Sequence, residues 1–168
     1  MDDEPQAALV RETVDRVAVN ALLDTYADVI NRRAFGELDE LFLPDCEIVI
    51  DARRGEPTVV RGAAAFGSFV GPAIERFDFF EFVILSRRVW VDGSAEARGR
   101  LYMCEVRHDG DRGSFSQAYG VYHDRFQRVG ERWWFAARRY HSLARTSTAA
   151  DRSLDVFPFP TDQEATFG

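Results

Sequence analysis

Proton-transfer chemistry needs a phenol, a carboxyl group or an imidazole held near a substrate, and this chain offers a small set of each. Tyr26 falls four residues from both Leu22 and Ile30, so a helix through this stretch carries the phenol on its apolar face. A buried phenol needs a partner for its hydroxyl. It can donate a proton to a carbonyl or leaving hydroxyl, or it can be a core tyrosine bonded to a backbone carbonyl. Glu105 shares one face of a strand with Gly99, Leu101 and Met103. A carboxyl group on that apolar side has its pKa raised by desolvation, which suits a general base or a protonated donor; at the strand end it can instead pair with an arginine. Asp51 ends the run Cys46–Asp51, one residue out of register with Cys46, Ile48 and Ile50. A bulge would turn Asp51 inward as a base, and without one it serves the following turn. Of three histidines, His141 in RRYHSL is placed best to reach a cavity mouth, or else to be a satisfied structural residue. His108 precedes a hairpin turn and His123 sits among charged residues in YHDRF, at a surface or an interface. Tyr122 and Asp124 share a strand face, from which Tyr122 could reach a substrate oxygen or simply pack.

Other chemistries are excluded by what is missing. All 21 basic residues are arginine, so no Schiff-base, pyridoxal-anchoring or phosphate-loop lysine exists. Three histidines and two cysteines without close spacing do not make a structural zinc site, and no metal is expected. Neither G-x-S-x-G nor G-x-G-x-x-G occurs. The chain is acidic, with a formal charge of −7, which argues against nucleic acid or an anionic membrane as partner. The arginine pairs at 32–33, 53–54, 87–88 and 138–139 are scattered and read as salt-bridge partners. The stretch MDDEPQAALV is acidic and has no apolar core of signal-peptide length, and no apolar run is long enough to span a bilayer. With only Cys46 and Cys104, a cytoplasmic location is expected.

The elements that must position these groups fall into two kinds. A helix is expected over about Ala7–Arg33, with Ala18, Leu22, Tyr26, Val29 and Ile30 on one face, and a short second helix over Gly36–Leu43, stopped by Pro44. Cys46–Asp51 reads as a strand. A third helix follows Gly62, its stripe formed by Phe66, Phe69, Val70, Ala73, Ile74 and Phe77, with a kink or break at Gly71–Pro72. Then come four β-rich runs, Phe79–Val91, Ala95–His108, Ser114–Arg128 and Arg132–Arg145, separated by DGS, DGDRG and VGE. Such short gaps demand antiparallel hairpins. Helices first and strands second make an α+β fold, helices packed on one sheet face. Residues 1–145 are read as a single domain. Residues 146–168 are read as an irregular tail that Phe157 and Phe159 could dock on the body or on a neighbouring subunit.

The stretch LLDTYADVINRRAFGELDELFLPDCEIVID, the glycine-led helix from Gly62 and the later GVYHDRF and GERWWFAARRYHSLAR resemble SnoaL-like proteins of the nuclear transport factor 2-like superfamily. The resemblance covers roughly residues 10–145. It implies a cystatin-like cone in which helices and a curved antiparallel sheet enclose a pocket for a hydrophobic ring compound. It also implies chemistry without a cofactor and a homodimer or homotrimer built on the open sheet face. Tyr26 stands where dehydratases and isomerases of this superfamily carry a catalytic tyrosine, and Glu105 where bile-acid dehydratase-like relatives carry an aspartate. Where dehydratases carry a histidine this chain has Phe82 or Leu85. Without a bulge to turn Asp51 inward, Ile50 holds the base position of the ketosteroid isomerases, and Tyr122 matches a position lining their pocket. The expected catalytic set is therefore Tyr26, Glu105, Asp51 and His141, with Tyr122, Phe66, Phe69, Phe82, Leu85, Ile50 and Met103 against the substrate. The implied activity is dehydration, isomerisation or cyclisation of a polyketide- or steroid-like ring. The alternative is a non-catalytic ligand-binding or scaffold protein, as in the β subunits of ring-hydroxylating dioxygenases.

Overall fold

The computed structural model describes residues 3–146 and 153–161 of the 168-residue chain. Helix α1 runs over Asp3–Arg32. Its inner face buries Val19, Leu22, Leu23, Tyr26, Val29 and Ile30, so Val19 takes the place expected of Ala18. The helix ends where Arg33 enters the left-handed region at φ 59° and the Ala34 amide donates to Val29 O. A 3-10 turn over Phe35–Glu40 replaces the expected second helix. The chain is already in strand β1 at Phe42, so Pro44 lies inside that strand, in the irregular stretch between Phe42 and Glu47, rather than stopping a helix. β1 ends at Asp51, β2 covers Thr58–Arg61, and α2 runs unbroken over Gly62–Glu75 through Pro72.

The four long runs become β3 (Phe79–Val91), β4 (Glu96–Asp109), β5 (Ser114–Val129) and β6 (Arg132–Thr146), a continuous antiparallel meander. The sheet order is β2-β1-β6-β5-β4-β3. It is not wholly antiparallel as expected, because β1 pairs with β6 in parallel. Strand β2 and helix α2 separate β1 from the meander, and a connection of that length can return a strand in either direction. The sheet is curved and does not close. Within the expected irregular tail, Leu154–Val156 forms β7 against Ala144–Thr146 of β6. The Phe157 amide donates to Leu143 O and the Phe159 ring lies 6.3 Å from that of Tyr102, so this part of the tail is docked on the body. The rest of the expected tail lies outside the described residues.

Polar clamps fix the helices on the sheet. Asn31 Nδ2 donates to Phe82 O at 3.0 Å while the Phe82 amide donates to Asn31 Oδ1 at 2.6 Å, which pairs the backbone of edge strand β3 with a side chain of α1. Asp15, buried on α1, accepts from Trp133 Nε1 at 3.1 Å and from Arg128 at 3.2 Å.

Candidate active site

Residues in register across the strands form rows on the inner sheet face. At the fully buried end one row is Phe42, Phe135, Phe126 and Ala97. The next is Ile48, Arg138, Asp124 and Gly99, and the one after is Ile50, Tyr140, Tyr122 and Leu101. Towards the other end lies Arg145, Ala118, Glu105 and Phe82. Two glycines make room for aromatic rings. A Cβ on Gly99 would lie 2.8 Å from the Phe126 ring, and one on Gly120 would collide with the Tyr140 ring.

Tyr26 enters this face from α1. Its ring is surrounded by Phe42, Phe66, Phe82, Tyr122 and Phe135 at centroid separations of 5.6–6.4 Å. The Tyr122 ring lies 6.4 Å from that of Tyr26, and the Tyr140 ring stands 5.0 Å from that of Tyr122. Burial pushes the Tyr26 phenol up, with Arg138 pulling the other way. Burial pushes Tyr122 well up as well, and Tyr140 to about 12. All three phenols therefore hold their protons at neutral pH and act as donors.

Arg138 is the central charge. It is fully buried, and its guanidinium carbon lies 3.9 Å from the ring centroids of both Tyr26 and Tyr122. Its counter-ion is Asp124, also fully buried, with Nε 3.1 Å from Oδ1 and Nη2 3.5 Å from Oδ2. Burial pushes the Asp124 carboxyl up to about 6, and Arg138 partly offsets this. Nη1 of Arg138 has no hydrogen-bond acceptor among the described residues, so the π faces supply what acceptors do not.

Glu105 is directed to the same face nearer its exposed end. Its side chain is 26% exposed and it contacts Arg107 at 3.4 Å. Burial raises its pKa, and Arg107 and Arg145 oppose the rise. Its charge is felt at Tyr26, Tyr122 and Tyr140 alike. The arrangement sets three proton donors against one carboxyl group that ionises late, with two arginines at the rim.

The structure thus brings Tyr26, Tyr122, Glu105, Phe66, Phe82 and Met103 to one face, with Ile50 packed against its edge. Four expected residues lie elsewhere. Asp51 pairs with His141 across β1 and β6 on the outer face, and it accepts from the Arg53 amide at 2.8 Å while its carboxylate meets Arg53 Nη1 at 3.0 Å. No bulge turns it inward, so it serves the turn. His141 is buried on that outer face beside His123, ring centroids 6.1 Å apart. Phe69 is off the buried stripe of α2 and 41% exposed. Leu85 is the extra residue of a bulge in β3 and 56% exposed. His108 pairs with Asp78 at 2.7 Å near the surface. Arg138 and Tyr140 were missed as site residues. The available signal was Asp124, a carboxylate on the face of Tyr122 that needs a cation from the neighbouring strand. Clefts of about 660, 440 and 270 Å³ among the described residues lie along α1 and the strand ends, away from Tyr26 and Glu105.

The model of the SnoaL-like domain matches residues 11–139, well over half the chain. The chain belongs to the SnoaL-like family. No curated protein matches it in sequence. Solved structures show that it shares the fold of several proteins. One is a candidate scytalone dehydratase from Novosphingobium aromaticivorans, at 18% identity and TM-score 0.73, over 84% of this chain and 93% of that one. A second, an NTF2-like protein with a cystatin-like fold from the same organism, has 22% identity and TM-score 0.72 over 90% and 96% of the two chains. A third, the hexachlorocyclohexane dehydrochlorinase LinA-type3 from Novosphingobium barchaimii, has 14% identity and TM-score 0.70 over 90% and 99%. This SnoaL-like chain carries its potential acid–base groups on the inner face of that shared fold, behind α1.

Proposed function

We propose that this SnoaL-like protein binds a hydrophobic cyclic metabolite and moves a proton on it without a cofactor, as a lyase or isomerase. The observation that carries this reading is the adjacent phenol pair Tyr26–Tyr122, with the Arg138 guanidinium across both rings and the Glu105 carboxyl group towards the rim. In this reading a phenol donates to a carbonyl or leaving hydroxyl on the ring compound, and its high pKa keeps the proton available. Ionised Glu105 removes a proton from the adjacent carbon. Arg107 and Arg145 attract an oxygen-rich edge of the substrate, while Phe82, Met103 and Ile50 contact its apolar body. The fold neighbours described as a candidate scytalone dehydratase and a dehydrochlorinase support elimination as the reaction class. A polyketide- or steroid-like ring is the substrate class that aromatic side chains such as Phe82 and Tyr122 would contact favourably.

A second reading has its own support. The rings of Phe42, Phe66, Phe135 and Tyr26 fill the buried half of the cone, and Arg138 occupies its centre. That packing suits a scaffold or carrier. The test is thermal-shift and turnover measurement with cyclic ketones and hydroxylated aromatic polyketides on the wild type, Tyr26→Phe and Glu105→Gln. Catalysis requires turnover by the wild type that both variants lose. Stabilisation by a ring compound without turnover selects the carrier, and no response to any of them rejects ligand binding on this face.

A further inference from the structure

The inner face does not end at β6. Asp155 of β7 stands opposite Arg145, which extends the row Phe82, Glu105, Ala118 and Arg145 by one strand. Phe157 lies two residues further on, so alternation brings its side chain to the same face. Its amide is fixed by the bond to Leu143 O at 2.9 Å, and its ring centroid lies 5.9 Å from the Arg145 guanidinium carbon. Phe157, Asp155, Arg145 and Glu105 are all half-buried, so this row is reachable from solvent where the deeper Tyr26 and Arg138 are not. The C-terminal segment thereby frames one side of Arg145.

The charges around this row do not balance. Arg107 meets Glu105 at 3.4 Å, and Arg54, from the turn between β1 and β2, meets Asp155 at 3.9 Å. Arg145 is a third cation, and among the described residues no carboxylate lies within ion-pair distance of it. Its Nε and Nη2 donate to one neutral acceptor, Ser142 Oγ, at 3.3 and 2.9 Å, and its Nη1 makes no hydrogen bond among the described residues. The buried Nε of Arg107 has no acceptor there either. Three arginines therefore meet two carboxylates, in a chain whose net charge is −7. Burial lowers the Arg145 pKa, and Arg54 and Arg107 push it the same way against Tyr140 and Glu105. A partly desolvated cation among other cations gains from an anion that a ligand brings.

We propose that the ring compound bound on the inner face carries a carboxylate, and that Arg145 binds this group while Phe157 of β7 packs against the ring. The inference rests on the reading of the inner face as a ligand site and names the substrate class for it. A guanidinium meets a carboxylate with a fork of N–H donors, and a phenyl ring offers a stacking face beside it. Only β5 separates β4 from β6, so the backbones at Glu105 and Arg145 lie roughly 10 Å apart. That is close to the length of a fused two-ring acid. A carboxylate held at Arg145 therefore leaves the far edge of the ring within reach of Glu105.

The experiment is a calorimetric titration of the full-length protein, at pH 7 and constant ionic strength, with 2-naphthoate and with its uncharged counterpart 2-naphthamide. The acid is expected to bind roughly tenfold more tightly than the amide. Arg145→Gln should abolish that preference, and Arg145→Lys, which keeps the charge without the fork, should retain part of it. Phe157→Ala should weaken both compounds alike. Asp155→Asn removes the negative charge opposite Arg145 and should strengthen binding of the acid about two- to fivefold, whereas a merely structural Asp155 would weaken it. Equal affinity for acid and amide, or a preference that survives Arg145→Gln, overturns the inference while ring binding on the inner face stands. If neither compound binds, the inference fails, and the measurements with cyclic ketones and polyketides decide the broader reading by themselves.

Discussion

The guanidinium carbon of Arg138 lies 3.9 Å from the centroid of the Tyr26 ring, and this stacked pair sits where the cone is most deeply buried. The contact joins the helix layer to the sheet through a cation whose counter-ion among the described residues is Asp124. Removing one member of a buried ion pair strands the other, which costs more than the pair is worth. Arg138→Met is therefore expected to lower stability by about 3–5 kcal/mol. The double variant Arg138→Met/Asp124→Leu recovers most of that loss. Urea unfolding of the single and double variants checks both. Recovery of less than about 1 kcal/mol would show that the cation's stacking on Tyr26 and Tyr122, rather than its charge pairing, dominates.

Tyr26→Phe removes one hydroxyl and keeps the ring that five aromatic neighbours pack against. Stability should fall by no more than about 1 kcal/mol, the usual worth of one hydroxyl's polar contact. Turnover of a cognate ring substrate should fall roughly 10²–10³-fold, the usual worth of an oxyanion donor. Paired melting curves and kcat/KM measurements separate these. A large loss of melting temperature with activity retained would mark the phenol as structural.

Glu105 acts as a base only when ionised, and burial holds its pKa above the ordinary carboxylate value. The rate should therefore fall on the acidic side of the pH profile, at a pH higher than an exposed glutamate would give. Arg107 pulls this pKa down, so Arg107→Gln should move the acidic limb to still higher pH. Glu105→Gln should abolish the limb together with the activity. Profiles of kcat/KM from pH 4 to 8 make the comparison.

His123 carries a pH signature in stability rather than rate. Its imidazole is held down to about 4, against 6.5 for the free group. The unfolded chain then takes up a proton in acid before the folded one does, so stability from this residue is present above pH 6.5 and is lost as pH falls towards 4. The loss amounts to about 3 kcal/mol at most. The difference in unfolding free energy between wild type and His123→Gln, measured from pH 7.5 to 4, should shrink across that window. A constant difference would mean that the ring is solvated and titrates normally.

Gly120 faces Tyr140 with no room for a side chain. Gly120→Val should cost about 1–3 kcal/mol by overpacking and displace the Tyr140 ring from Tyr122. Near-ultraviolet circular dichroism and urea unfolding report the two effects.

Local sequence determined much of this architecture. Period-four spacing placed Tyr26 on the inner face of α1, and period-two alternation placed Glu105 and Met103 on the inner face of β4, because both patterns are set by backbone geometry within a single element. The turns DGS, DGDRG and VGE set the meander, since connections that short allow only hairpins. What the tertiary structure alone decided was phase and partnership on β6. Phe135 points inward, and strict alternation from it would bring Ala137, Arg139 and His141 inward too. The register shift at Ala136, between the pairs Arg125–Ala137 and Phe126–Phe135, turns the strand by one residue instead. Arg138 and Tyr140 thereby enter the core, and His141 passes to the outer face with Asp51 and His123. A bulge is fixed by how two strands and the helix above them fit together, so nothing in RRYHSL alone distinguishes the arginine that stacks on Tyr26 from the histidine that faces away.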